Sequence, residues 1–359
     1  MRPAARAALT AGIVVFVVIV ALIIRSLSAF GVFTDVTPGF AGTCTAVPGV
    51  TGPEDVAIDE KSGLAFVSAM DRRAQKAGTP APQDGLYVMA LAGMPHLTKL
   101  AGTSADFHPH GIALVRAPDG TLTLMAIDHH RDGTSSIDIF AVKTGPGGAA
   151  ALAEIGNIES GLLTSPNAIV ALDAGRFYVV NDHGSTTAFG QMLEDDLVLA
   201  RANVLYFDGT VFRVVANNLN FPAGIALSPD SRHLYVSESY NRRITTYERQ
   251  PLSGSLDAVN TFAIPSNLDN LRFDGAGNLW VGSHPKAFAM AAWRSDPSQT
   301  APSQIFKVAL SAGVPQSAAP IYTNLGDQIG GSSVAAVAGH RMLIGSLLDN
   351  HILDCRMDH

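Results

Sequence analysis

Residues Ser266–Pro285, SNLDNLRFDGAGNLWVGSHP, decide the fold of this 359-residue chain. The first half alternates apolar and polar positions around Leu271 and Phe273. A glycine-rich turn follows, and a second strand resumes at Leu279–Gly282. This is a β-hairpin pattern, because glycine accepts the backbone angles that a tight reversal needs. The same phrase recurs as GPEDVAIDEKSGLAFVS from Gly52, HPHGIALVRAPDGTLTLMAID from His108 and SPNAIVALDAGRFYVVND from Ser165. It returns as FPAGIALSPDSRHLYVSES from Phe221 and, in worn form, as GSSVAAVAGHRMLIGS from Gly331.

Six copies of a short-stranded unit, roughly 45 to 65 residues apart, predict an all-β six-bladed β-propeller. One blade cannot bury both faces of its small sheet, so blades stack radially around a channel. With the first strand of each copy innermost, its leading residues meet at one mouth of the channel. These are Glu54-Asp55, His110-Gly111, Asn167-Ala168, Ala223-Gly224, Asp269-Asn270 and Ser332-Ser333. A ring of carboxylates, amides and a histidine is where chemistry is expected.

Charged residues make up only 15% of the chain, 31 acidic against 24 basic, with no basic stripe, which argues against nucleic acid as a partner. Ala7–Ile24 is an uncharged, mostly apolar run, preceded by Arg2 and Arg6 and closed by Arg25. It reads as a signal-anchor helix spanning a membrane. A cleaved signal peptide is the competing reading, with small residues at Ser26-Leu27-Ser28-Ala29. Both export the rest of the chain, to the periplasm or cell exterior, anchored in one case and secreted in the other.

Export suits the two cysteines, Cys44 before the first repeat and Cys355 four residues from the end. Joined in an oxidising compartment, they would staple the ring shut; two unrelated buried thiols are the alternative. Three segments follow: 1–30 as anchor or signal sequence, 31–50 as linker and closing strand, and 51–359 as the six-bladed propeller domain. Phe189–Ala200 carries helical spacing and is expected over the channel mouth, as a lid or as plain packing. Gly78–Gln83, Gly145–Gly148 and Ser295–Ser303 read as loops.

From Cys44 to Cys355 the chain resembles the paraoxonase/arylesterase hydrolases. GPEDVAID, HPHGI, NDH, LDN followed by LWVGSHP, and MLIGS before a terminal Cys all fall in family order. The resemblance implies a calcium-dependent propeller that hydrolyses small lactones and aryl esters. It implies Glu54, Asn167, Asp269 and Asn270 as ligands of the catalytic calcium, and His110 and His129 as base and partner, with Asp269 a second candidate base. His183, Phe221 and His284 are implied in the substrate pocket, and Asp55 at a second calcium.

The residue types agree with this. Calcium takes oxygen ligands, and carboxylates with side-chain amides from separate blades supply them. A histidine and histidine pair also suggests zinc, but no third ligand at zinc spacing accompanies it. Asp182-His183 lacks the G-x-S-x-G elbow of a serine hydrolase. Departures from the family pattern are Ala223 in place of a ligand Asn, Ala168 in place of the Asp serving the second calcium, and Ser283 in place of Cys. With Ala168 unable to coordinate, Asp55 is expected to be neutralised by backbone amides or by Arg72 or Arg73. The alternative function is an exported, non-catalytic binding module with a degenerate metal site.

Overall fold

The computed structural model describes residues 3–145 and 149–358, with side chains from residue 9 onward. Arg2, residues 146–148 of the Gly145–Gly148 stretch and the side chain of Arg6 therefore lie outside the described residues. The six repeats form six antiparallel sheets arranged as propeller blades. Their first strands are Pro53–Asp59, Pro109–Arg116, Pro166–Ala171, Pro222–Leu227, Leu268–Phe273 and Ser332–Ala338. Each touches the first strand of the next blade, and the sixth returns to the first, so these six line the channel. Hairpin-joined strands then run outward in each blade.

Alternation along the strands gives the packing. In blade 2, Ile112, Leu124, Ala126 and Phe140 face blade 1 and meet Phe66, Leu86 and Val88. Met125, Ile127, Ile137 and Ile139 face the other way and meet Phe177, Val179 and Leu205 of blade 3. Each sheet thus contributes both faces to the core, which is why an isolated repeat would not fold. The inner strands approach very closely. A Cβ on Gly111 would stand 2.5 Å from Asn167 O, and one on Gly224 2.4 Å from Asp269 O, so both positions require glycine.

The ring is closed by the chain's own N-terminal part. Strand Gly42–Pro48 pairs with His351–Met357 as the outermost strand of blade 6, with Cys44 directly opposite Cys355. The two are disulfide-bonded, as the pairing reading expected. A cross-link spanning 311 residues restricts the unfolded chain by up to about 5–6 kcal/mol in the chain-entropy model. Gly39–Phe40 adds a short fifth strand to blade 5.

Among the described residues, four helices decorate this frame. Helix α1, Pro3–Ala29, contains Leu9–Ala29, long and apolar enough to cross a membrane and with its apolar side chains exposed. Helix α2, Arg72–Ala77, immediately precedes the Gly78–Gln83 stretch: Asp71 caps the amides of Arg73 and Ala74, and Gly78 ends it in the left-handed conformation. Helix α3, Ala188–Asp196, is shorter than the expected Phe189–Ala200. Val198 turns left-handed (φ 52°) and its carbonyl is taken by Arg25 Nη2 at 3.0 Å and Asn220 Nδ2 at 2.8 Å, which holds the chain out of the helix. Helix α4, Ala287–Ser295, buries Met290 and Trp293 one turn apart.

Candidate active site

A local irregularity repeated in every blade builds the site. In all six first strands the register slips at the opening residues: between Pro53 and Asp55, Pro109 and Ile112, Pro166 and Ala168, Pro222 and Gly224, Leu268 and Leu271, and Ser332 and Val334. A bulge bends the strand and re-aims a side chain that would otherwise pack between blades. The residues in the slips are Glu54, His110 with Gly111, Asn167, Ala223, Asp269 with Asn270, and Ser333.

Glu54, 1% exposed, is the hub. Its Oε1 accepts from Asn270 Nδ2 at 2.5 Å, and its Oε2 lies 3.6 Å from His110 Nε2. His110 Nδ1 shares a 3.0 Å hydrogen bond with His129 Nε2, and His129 Nδ1 lies 3.0 Å from Ser135 Oγ. Asn167 Nδ2 donates to Asp182 Oδ2 at 3.0 Å. Asp182 also holds His183 Nδ1 at 2.7 Å, and Asp195 of α3 holds His183 Nε2 at 3.0 Å. Asp269 Oδ2 stands 3.7 Å from His284 Nδ1. Phe221, at a positive φ of 46° that aromatic residues rarely adopt, wedges its ring between His183 and Tyr240.

These polar groups are buried, and some of their atoms have no partner. Glu54 Oε2, Asn167 Oδ1, Asn270 Oδ1, His110 Nε2 and His284 Nδ1 are all shut from solvent without a hydrogen bond. Burial, then repulsion from Asp55, pushes the Glu54 carboxyl up to about 8. Burial and the Glu54 charge push Asp269 well above the carboxylate range. Burial lowers the histidines: His129 and His284 fall to about 4 and His110 well below its ordinary value, the latter two also pressed by nearby arginines. All three are neutral at pH 7. His183 behaves oppositely: burial works against its charge, but hydrogen bonds to Asp182 and Asp195 outweigh that and raise it to about 10.

The unpartnered oxygens fit a calcium ion. An unsatisfied buried acceptor is costly, and here there are three, one of them on the Glu54 carboxylate itself. The set is all oxygen and carries two formal negative charges, which suits a hard divalent cation. Among the described residues no cluster of three or more His, Cys, Asp or Glu has metal-holding geometry, so the amides of Asn167 and Asn270 would have to take part. Ala223 fills its blade's slip with a buried methyl and offers no oxygen.

Asp55 faces elsewhere. Its Oδ1 accepts from Val56 N at 2.9 Å, and its Oδ2 accepts from Ile112 N at 2.8 Å and from Arg272 Nη2. The backbone amides were expected, but Arg72 and Arg73 do not reach it. Arg72 turns toward Leu347 O, and Arg73 donates to Trp293 O. Arg272, which no motif marked, lies on an inner strand and points into the channel. It also lines a cavity of about 180 Å3 among the inner strands. A larger cavity of about 870 Å3, lined by Trp280, Lys307 and His340 among others, shares none of the site residues.

The family model described as Arylesterase matches residues 58–357. Rat serum paraoxonase/arylesterase 2 is 29% identical over 312 residues, covering 85% of this chain and 86% of that protein. Among solved structures, a luciferin-regenerating enzyme superposes with a TM-score of 0.53 at 12% identity, covering 88% of this chain and 95% of its own. A calcium-binding protein, regucalcin, from Agrobacterium tumefaciens gives 0.50 at 15%, covering 88% and 93%. At these identities the two structures share the fold.

Proposed function

The chain belongs to the arylesterase family, and on that premise we propose that it is a calcium-dependent hydrolase of lactones and aryl esters. What supports this is a buried polar chain, Asn270 to Glu54 to His110 to His129, together with side-chain oxygens of Glu54, Asn167 and Asn270 that each lack a hydrogen-bond partner. Glu54, Asn167, Asp269 and Asn270 would hold the ion. When bound, calcium polarises the ester carbonyl and stabilises the oxyanion that water addition creates.

The hydrogen-bond chain accommodates either order of protons, and the role of base uses one of them. With the His110 Nε2 lone pair free, the proton sits on Nδ1 and is donated to His129 Nε2; His129 then carries its proton on Nδ1, facing Ser135 Oγ. His110 Nε2 accepts a proton from the attacking water as its oxygen bonds the carbonyl carbon. The same proton passes to the departing alcohol or phenol oxygen as the ester C–O bond breaks. His129 and Ser135 orient the base. Asp269, next to His284, is the second candidate base. His183, Phe221 and His284 would wall the substrate.

Residues 1–30 act as a retained anchor, 31–50 join it to the ring and close blade 6, and 51–359 form the hydrolase domain on the exported side. Retention is supported by contacts at the end of α1. Ala29 is buried, Ser28 O accepts from Arg242 Nη1 at 2.9 Å, Ala29 O from Asn267 Nδ2 at 2.7 Å, and the Phe30 ring meets Tyr240 and Phe288.

One observation favours a second reading. Ala223 contributes a methyl where its blade could contribute an oxygen, as a binding module with a degenerate metal site would. Purified protein assayed on phenyl acetate and a panel of medium-chain lactones, with chelator and with excess calcium, separates the two. Hydrolysis that chelator abolishes and calcium restores supports the enzyme; no turnover of any substrate in excess calcium supports the module.

A further inference from the structure

The last turn of α1 and the residues after it are built into the surroundings of the site. Arg25 Nη2 and Asn220 Nδ2 share Val198 O, which ties the helix to the chain after α3 and to the residue before Phe221. Asn267 Nδ2 donates to Ala29 O at 2.7 Å and to Ser239 O, beside Tyr240, at 3.1 Å. Phe30 O accepts from Ala287 N, the first residue of α4, at 3.1 Å. Gly31 has a positive φ of 70°, and a Cβ there would stand 1.9 Å from Pro285 O, so glycine is required. The chain thus passes flush against the residue that follows His284.

An aromatic file runs inward from these contacts. The Phe30 ring meets Tyr240 edge-on with centroids 5.5 Å apart, Tyr240 meets Phe221 at 5.0 Å, and Phe221 meets His183 edge-on at 5.1 Å. His183 is bonded to Asp182, and Asp182 to Asn167 of the candidate calcium set. Phe221 is partly exposed and lies two residues before Ala223, the slip residue of its blade, which places it at the mouth. Backbone strain follows the same line. Among the described residues six that are not glycine have positive φ, and the anchor end reaches three of them. It holds Val198 through Arg25, Arg242 through Ser28 O and Thr34 Oγ1, and Phe221 through Tyr240. Such conformations persist only where the surroundings fix them, and they collect at ligand clamps.

Resting on the hydrolase reading, we propose that Phe30 is a positioning residue for substrate selection: through Tyr240 it holds the Phe221 ring in the wall that receives the apolar substituent of a lactone. Without the rings behind it, Phe221 relaxes to an ordinary φ and its ring leaves the wall. The end of the anchor is then part of the substrate pocket.

The test compares δ-dodecalactone with δ-valerolactone, which share the reacting ring and differ in the heptyl tail, on calcium-loaded full-length protein in one detergent. Intrinsic reactivity and micelle partitioning cancel when the ratio of kcat/KM is compared between proteins. Phe30→Ala should lower the dodecalactone-to-valerolactone ratio about ten-fold, the scale of one lost apolar fit, mostly through KM. Phe30→Tyr, which keeps the ring, should retain the ratio. Phe30→Leu, with bulk but no ring, serves should the alanine variant not fold. In a Phe221→Ala background Phe30→Ala should change the ratio no further, a result that general loosening of the fold would not give. Phe288→Ala removes the other ring that Phe30 meets and should leave the ratio unchanged. Calorimetry with the lactams 6-heptylpiperidin-2-one and piperidin-2-one makes the same comparison without turnover, and Phe30→Ala should narrow their affinity gap about ten-fold. An unchanged ratio and gap, or a full effect of Phe30→Ala in the Phe221→Ala background, would overturn the role of Phe30 and leave the hydrolase reading standing. If no lactone is hydrolysed, that reading fails, and the lactam gap still decides: narrowed, it supports Phe30; unchanged or absent, it overturns it.

Discussion

Arg272, on the inner strand of blade 5, gives its Nη2 to Asp55 on the inner strand of blade 1 and to Ile112 O of blade 2 at 2.8 Å, while its Nε donates to Val56 O at 3.1 Å. One guanidinium thereby ties three blades across the channel and neutralises a fully buried carboxylate. Ala168 is buried and its side chain carries no oxygen, and the countercharge of Asp55 comes from the arginine within the chain.

Removing this internal cation should be severe. Arg272→Met strands Asp55 as an uncompensated buried charge, for which a loss of about 3–5 kcal/mol is expected. Asp55→Asn combined with Arg272→Met removes both charges and should recover part of it. Urea denaturation of the three proteins checks the order; a single variant as stable as wild type would show that the ion pair contributes nothing.

The same arrangement limits metal stoichiometry. Calorimetric titration of metal-free protein should give one tight calcium site, because Asp55 is already satisfied by Arg272 and two amides. Ala168→Asp alone should not add a second site, since the new carboxylate would pair with Arg272. Ala168→Asp with Arg272→Met should add one. Two tight sites in the unmodified protein would contradict this.

His183 gives a pH signature. Its pKa is raised to about 10 in the folded protein, above the ordinary 6.5, so the fold binds a proton that the unfolded chain releases. Its stabilising contribution is complete below about pH 6.5 and is lost as pH rises toward 10. The stability gap between wild type and His183→Gln should therefore shrink across that window. A gap that stays constant or widens would show that the imidazole is not held protonated.

Retention of the N-terminal helix is tested by intact mass. Because Ser28 O and Ala29 O are acceptors for Arg242 and Asn267, cleavage within Ser26–Ala29 would sever a segment built into the propeller top. Protein extracted from membranes should keep residues before Ser26, and stay membrane-bound in alkaline carbonate. A mature chain starting near Phe30 would contradict the anchor.

The architecture was legible because each repeat carries its own hairpin and its own leading residues, so blade number and inner strands could be read without long-range information. The paired cysteines were legible for the same reason, as both ends of a ring must meet. Individual site residues showed through motif order, as with Glu54 in GPED and His110 in HPHG, yet their orientation did not. The six strand slips that turn them inward depend on how neighbouring blades pack. Arg272 was invisible as the partner of Asp55: an arginine on a strand has no local signature, and what it meets is decided by residues more than a hundred positions away. Val198 is the converse case, where helical spacing continues in sequence but tertiary contacts turn the backbone out.

The division of labour in the site bears on the central claim most directly, through parallel measurement of calcium affinity and turnover in Glu54→Gln and His110→Gln. Glu54→Gln should weaken calcium binding and abolish hydrolysis at low calcium, with partial recovery in excess. His110→Gln should reduce kcat about 100-fold or more while leaving calcium affinity within a few-fold of wild type. A His110→Gln protein that loses calcium as badly as Glu54→Gln, or a Glu54→Gln protein that binds calcium and hydrolyses phenyl acetate normally, would contradict the account.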